Sequence, residues 1–227
     1  MLKVLPSVSF NCVVTEAFKP MYNQYFYPAF KNSRVVLNVF GNNSARNVEW
    51  GDHNFLDSIH FKIWKVIESL HSYKFAIWSD VDIIFLTEPK LILNDLLRII
   101  KFYDIAFSPE TRYPNNINSG FFIVRSNERT ITLFRHLLEK IQQRRSTEQY
   151  IMQDLLMGGY AGIKWKLLPI AYWNLTVGFP IPKDIKIAHA NCILQDRGLG
   201  LFRGNTHIEK KMDALFKLKQ RLQITPV

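Results

Sequence analysis

Short apolar runs alternate with longer stretches of helical spacing along most of this chain. Val8 to Val14, within a run that begins at Leu2, has the composition of a first strand. Phe18 to Phe30 is aromatic-rich and predicts a helix after Pro20, because proline suits a first helical turn. Arg34 to Phe40 is a β-branched run closed by Gly41-Asn42-Asn43, hence a second strand and a turn. Ile59, Ile63, Val66, Ile67 and Leu70 recur at helical spacing and predict a helix over Asp57 to Leu70. Strand, helix and strand at this spacing open a parallel α/β sheet. Further on come a helix from Leu91 to Ile100, a short strand from Asp104 to Phe107, a polar loop from Pro114 to Gly120 and a strand from Phe121 to Val124. Asn127 caps a long helix to about Arg144, and Thr147 to Met157 is a helix ended by Gly158-Gly159. Ile163 to Ile170 and Ile185 to Ala190 read as later strands, separated by a loop holding Pro169, Pro180 and Pro182. His207 to Gln223 is an amphipathic helix with Met212, Leu215, Phe216 and Leu222 inward and its lysines in solvent. No repeat, low-complexity tract or linker interrupts the pattern. Residues 1–227 read as one α/β domain, with the basic helix 207–223 packed on it.

One stretch breaks the rule that buried strands are apolar. Lys74 to Leu86 carries Asp80 and Asp82 in the middle of a run that is otherwise strand-like on both sides. In extended backbone, residues two apart project to the same side, so the two carboxylates converge. Paired anions in an apolar setting repel and lose hydration, so they call for a cation or a shared proton. With oxygen ligands the usual partner is Mg²⁺ or Mn²⁺. The alternative is a turn between two strands with both side chains in water.

Composition narrows the partners. A net charge of +10 on 227 residues fits a phosphate-bearing substrate, nucleic acid or an anionic membrane surface. The last helix concentrates several lysines, and contact with a membrane surface is a second reading of it. No apolar run is long enough to span a bilayer, and the first residues do not read as a signal peptide. The expectation is a soluble protein on the cytoplasmic side, or an excised catalytic domain. Cys12 and Cys192 are too few for a disulfide framework and read as buried thiols. Asn42-Asn43-Ser44 and Asn174-Leu175-Thr176 match glycosylation acceptors by chance. Gly198, Gly200 and Gly204 cannot open a dinucleotide fold, since only one more helix follows. A loop closing over phosphates or a plain turn accounts for them. No P-loop sequence occurs, which argues against an NTPase or a kinase.

Several short motifs then fall in a specific order. Ser79-Asp80-Val81-Asp82, continued to Pro89, resembles the Asp-x-Asp segment of GT-A glycosyltransferases, and more narrowly that of the nucleotide-diphospho-sugar transferase family. Asn118-Ser119-Gly120-Phe121 is similar to that family's "NSGF", Glu148-Gln149 stands at its "DQ" pair, and His189-Ala190-Asn191 resembles its "HAN". Lys62 matches a basic position on the helix before the metal motif. The likeness covers Val8 to about Ile193. It departs where Glu148 replaces an aspartate, and where no Gly and then Lys follow His189-Ala190-Asn191.

The resemblance implies a GT-A fold, Rossmann-like with a mixed but mostly parallel sheet and helices on both faces. It also implies a retaining glycosyltransferase using Mn²⁺ or Mg²⁺ and a nucleotide sugar, most commonly a UDP-sugar, with a glycan or protein-glycan acceptor. In that reading Asp82 binds the ion, Asp80 binds it or the ribose, and His189 completes the set. Lys62, Arg197 or Arg203 neutralises the diphosphate, and Thr15 joins the donor-binding groups. Asn118 faces the sugar, or is simply a turn residue. Glu148 stabilises an oxocarbenium-like sugar, or is a helix-start carboxylate favoured by the dipole. Trp78, Trp165 and Trp173 stack on base or sugar, or pack in the core. Two other classes compete: a basic nucleic-acid-binding protein with a structural Asp pair, which needs a basic stripe with exposed aromatics, and a metal-dependent phosphoryl hydrolase, which needs more carboxylates.

Overall fold

The computed structural model describes residues 7–42, 53–111, 115–144, 147–174, 181–191 and 207–223. Its strands are β1 (Val8–Thr15), β2 (Leu37–Asn42), β3 (Phe75–Ser79), β4 (Ile83–Phe85), β5 (Ile105–Pro109), β6 (Ile117–Arg125), β7 (Trp165–Leu167), β8 (Tyr172–Asn174) and β9 (Ile187–His189). Its α-helices are α1 (Lys19–Met21), α2 (Tyr27–Lys31), α3 (His53–Ser72), α4 (Pro89–Ile99), α5 (Glu128–Arg144), α6 (Glu148–Met157) and α7 (His207–Arg221). A π turn, Tyr22–Phe26, joins α1 to α2. Pro28 follows it and has no N–H to donate, which accounts for the irregular turn at that place.

Six strands form one sheet in the order β2-β1-β3-β6-β5-β7, and β4-β9-β8 form a second. In the large sheet β1 is parallel to β2 and β3, β5 is parallel to β7, and β6 runs antiparallel to both neighbours. The period-two rule sorts its side chains. Ala76, Trp78, Phe122 and Val124 pack with Ile63, Val66 and Leu70 of α3 and Phe134 of α5. Ile77, Phe121 and Ile123 point the other way, among Phe10, Phe26, Phe30 and Ile92 of α4. On that face Phe30 stands 5.0 Å from Phe10 and 4.9 Å from Phe85 between ring centroids, spacings that favour edge-to-face packing. A mixed, mostly parallel sheet with helices on both faces is therefore the architecture, as expected. The small sheet is covered by α7, whose Leu215 and Leu218 pack with Met21, Tyr25, Ile84 and Trp173.

Four expectations need correction. The strand through Asp80 and Asp82 is interrupted: β3 stops at Ser79, residues 80–82 turn, and β4 enters the other sheet. Of the polar loop predicted over Pro114 to Gly120, residues 117–120 are instead the start of β6, and Ile117, Asn118 and Ser119 are buried. The register explains why it looked like a loop. Phe107 pairs with Phe122, but the next residue, Ser108, pairs with Asn118. Ser119, Gly120 and Phe121 therefore form a bulge against β5, and bulges re-aim side chains. Next, β8 occupies part of the predicted Pro-containing loop, and the strand predicted over Ile163 to Ile170 shortens to β7. Finally, α7 buries Leu218 and leaves Phe216 exposed, and Lys211 is buried rather than in solvent. Residues 1–6, Asn43-Ser44, Cys192 and the glycines at 198, 200 and 204 lie outside the described residues. No helix among the described residues is long and apolar enough to cross a membrane.

Asp104 ties the far end of the sheet together. Its carboxylate accepts from Asn127 Nδ2 at 2.8 Å, Arg129 Nη2 at 2.8 Å and the Lys164 backbone N–H at 2.9 Å. Asn127 in turn caps α5 reciprocally with Thr130, with bonds of 3.0 and 3.1 Å. Burial works against the charge on Asp104, yet these donors hold its carboxyl below the usual range. A depressed folded value means that the stabilisation is complete above the unfolded pKa of about 3.9 and is lost as pH falls through the folded value. Asp104→Asn should therefore cost about 1.5–3 kcal/mol at pH 7, with the gap to wild type closing below about pH 4. Urea denaturation at both pH values checks this; an equal gap at pH 3 and pH 7 contradicts it.

Candidate active site

The junction between the two sheets builds the site. At the end of β3, Asp80 N donates to Gly120 O at 2.7 Å, one residue beyond the last β3–β6 pair. Trp78 is buried, and its indole N–H reaches Asp80 Oδ1 at 2.8 Å. Two residues later Asp82 O accepts from Ala190 N at 2.9 Å, and Ile83 pairs with His189 in the β4–β9 ladder. The backbone thus sets Asp82 beside His189, whose Nε2 lies 3.0 Å from Asp82 Oδ1. The other ring nitrogen, Nδ1, lies 3.1 Å from Asn118 Oδ1 in the bulge of β6.

Cations and amides fill the space around the carboxylates. Lys62, from α3, is buried and donates to Asp80 Oδ1 at 3.4 Å, Glu148 Oε1 at 3.0 Å and Ser119 O at 2.7 Å. Three bonds occupy all the donors an ammonium has. Ser119 Oγ also donates to Glu148 Oε1, at 2.8 Å. Lys211, from α7, sits on Asp82 Oδ2. Asn118 Nδ2 donates to Glu110, and Asn191 Nδ2 donates to both oxygens of Glu110, at 3.1 and 3.0 Å.

These contacts drive the two aspartates apart. Burial pushes the Asp80 carboxyl above the usual carboxylate range; Lys62 pulls it back in part, and the Asp82 charge adds to the push. Burial acts likewise on Asp82, but Lys211 and then His189 overcome it and hold that carboxyl well below the usual range. Around Lys62, burial disfavours the ammonium, yet Asp80 and Glu148 together raise its pKa. Glu148 is lowered against its own burial by Lys62 and Ser119. Glu110 is pushed up by burial, which its bond from Asn118 only partly offsets.

All of these groups line one cleft of about 270 Å³. The Thr15 hydroxyl is buried there without a hydrogen-bond partner among the described residues. Asp80, Asp82 and His189 each bring a ligand atom within 4.8 Å of the others, so this group could hold a metal ion. Two carboxylates and one imidazole form a donor set that fits a divalent cation. The Asn118 amide behind the imidazole is the outer support that metal-binding histidines usually have.

Of the residues picked from the sequence, Thr15, Lys62, Asp80, Asp82, Asn118, Glu148 and His189 meet in this cleft. Arg197 and Arg203 lie outside the described residues. Trp78 and Trp173 are buried, and Trp165 is half-buried in β7. Sequence reasoning missed Lys211, Asn191 and the part played by Gly120. The signal for Lys211 was present: Leu215 and Leu218 lie four and seven residues on, which places all three on one helix face.

The chain belongs to the nucleotide-diphospho-sugar transferase family, whose sequence profile matches residues 33–198. It is a glycosyltransferase. No protein of curated function matches it by sequence. Solved structures share the fold. A glycosyltransferase involved in the glycosylation of the major capsid of PBCV-1 superposes with a TM-score of 0.60 at 12% identity, covering 93% of this chain and 100% of that one. Mouse xyloside xylosyltransferase 1 in its apo form gives 0.54 at 13% identity, over 82% of this chain and 98% of that one. The glycosyltransferase GlyE of Streptococcus pneumoniae TIGR4 gives 0.55 at 11% identity, over 97% of this chain and 64% of that one.

Gly120 is where the three polar walls come closest. A Cβ there would stand 2.2 Å from His189 Cε1 and 2.9 Å from both Asn118 Oδ1 and Asp80 Oδ2. Gly120→Ala must therefore displace the imidazole or the strand, at about 1–3 kcal/mol. Thermal melting should fall by several degrees, at roughly 2–4 °C per kcal/mol for a chain of this size, with the far-UV spectrum retained. An unchanged melting temperature would show that the three walls are not held together as described.

Proposed function

We propose that this glycosyltransferase moves a sugar from a UDP-sugar to a glycan or protein-glycan acceptor, with retention, using Mn²⁺ or Mg²⁺. Asp80, Asp82 and His189 would hold the ion, with Asp80-x-Asp82 as the Asp-x-Asp motif. The observation that carries this reading is the convergence of those three side chains in the cleft of a nucleotide-diphospho-sugar transferase. Bound there, the ion supplies positive charge against the diphosphate as it leaves. Asp82 is kept ionised by Lys211 and His189, so it is ready as an anionic ligand. Asn118 holds the imidazole from behind, and the unpartnered Thr15 hydroxyl is a hydrogen-bonding group for the donor. Lys62, with three bonds already made, acts as the internal counter-charge to Asp80 and Glu148 rather than as a phosphate ligand. We take residues 1–227 as one catalytic unit, since α7 contributes Lys211 to the cleft.

Retention has support in the state of Glu148. Its ion pair with Lys62 keeps it below the usual carboxylate range, which makes it a poor proton acceptor for an inverting attack. In a retaining transfer the departing diphosphate can take the acceptor's proton. NMR of the first-formed product decides the matter. An inverted linkage would refute retention and move the base role to Glu110, whose carboxyl burial pushes up.

The metal reading predicts that UDP raises the melting temperature with Mn²⁺ and not with chelator. A hundredfold excess over Kd corresponds to about 2.7 kcal/mol. Asp82→Asn should fold but melt lower, because Lys211 loses its anion. Per folded molecule it should lose about a hundredfold or more in transfer. Full activity in Asp82→Asn, together with indifference of the wild type to chelator, sinks the metal mechanism.

A further inference from the structure

Lys211 comes from a helix that lies beyond the stretch matched by the family profile, residues 33–198. Its ammonium is nevertheless among the buried groups of the cleft and rests on Asp82 Oδ2, while His189 Nε2 takes Oδ1. We infer that Lys211 is a diphosphate-binding residue, added to the site by α7, which leaves Asp82 for the donor's phosphates when the ion and the donor bind. This assignment rests on the reading of the cleft as a site for a metal and a nucleoside diphosphate.

The argument begins with donors. Lys62 has all three of its N–H groups engaged, two of them by carboxylates. Among the described residues Lys211 is bonded to the single acceptor Asp82, with the face of the Phe18 ring 6.0 Å away. Of these two ammonium groups in the cleft, Lys211 is the one with N–H groups left to offer a phosphate. Next comes charge. An ion held by Asp80, Asp82 and His189 would share Asp82 with Lys211, and two cations on one carboxylate repel. The incoming diphosphate is the anion that relieves this. The long flexible side chain lets the ammonium move without the helix moving. The helix itself is fixed: Leu215 and Leu218 are buried, and Tyr25 Oη donates to Met212 O at 3.3 Å. Methionine would fill the same space but leave the buried Asp82 carboxylate with His189 alone beside it, so ligand binding rather than stability separates a diphosphate contact from a structural counter-ion.

The test compares wild type, Lys211→Met and Lys211→Arg by calorimetric titration with Mn²⁺ alone, then with UDP, pyrophosphate and uridine at saturating Mn²⁺. The wild type should bind UDP and pyrophosphate. Lys211→Met should weaken both by tenfold or more and leave uridine unchanged, and its affinity for Mn²⁺ alone should hold or rise because a competing cation is gone. Lys211→Arg should restore most of the UDP affinity. If Lys211→Met does not fold, Lys211→Gln, which keeps a polar head on Asp82, carries the same comparison. Equal UDP and pyrophosphate affinity in the wild type and the neutral variant overturns the assignment alone and leaves Lys211 a structural counter-ion. A wild type that binds Mn²⁺ but no diphosphate overturns the donor reading and this assignment together.

Discussion

Two carboxylates two residues apart, Asp82 buried and Asp80 part-exposed at the cleft, impose the central constraint on this molecule. Their charges repel and burial disfavours the charged form, so each is held by cations and donors delivered to it. Asp80 receives Lys62 and the Trp78 indole, while Asp82 receives His189 and Lys211. Each partner arrives on a different element, so the packing of α3, β9 and α7 against the sheets is also the wiring of the site. The turn at residues 80–82 lies where the chain leaves the large sheet for the small one, and the cleft opens at that crossing.

The polar groups form two linked chains rather than a scatter. One runs from Asp80 through Lys62 to Glu148 and Ser119. The other runs from Asp82 through His189 to Asn118, Glu110 and Asn191. The chains meet at Gly120, where a missing side chain leaves room for both. Hydrogen-bonded networks of this kind are rigid, and a change at one member is felt by the rest.

Much of this was legible in the sequence. The helical spacing of Ile59 to Leu70 and the capping residue Asn127 predict α3 and α5 well, because amphipathic spacing and caps are local properties. The Asp pair, the Asn118 segment, Glu148 and His189 were recognisable as a set through resemblance. What stayed hidden depends on register and long-range packing. A run such as Asn118-Ser119-Gly120 has turn composition, and only its pairing with β3 on one side and its slip against β5 on the other make it a bulged strand. Composition alone places Lys211 on the solvent face of its helix, where lysine usually belongs. Its burial follows from the position of Asp82, 129 residues away in sequence.

That distance has a kinetic meaning. The contacts that define the cleft join residues 86 apart for Lys62 and Glu148, 71 apart for His189 and Asn118, and 129 apart for Lys211 and Asp82. Closing such loops costs entropy before any contact rewards it, and topologies rich in them fold slowly. A partly folded chain can hold α3 or α5 while its carboxylates remain scattered and solvated. Affinity for an ion and a diphosphate would then emerge only with the last docking events, and a ligand that needs the assembled cleft selects the completed fold from every intermediate before it.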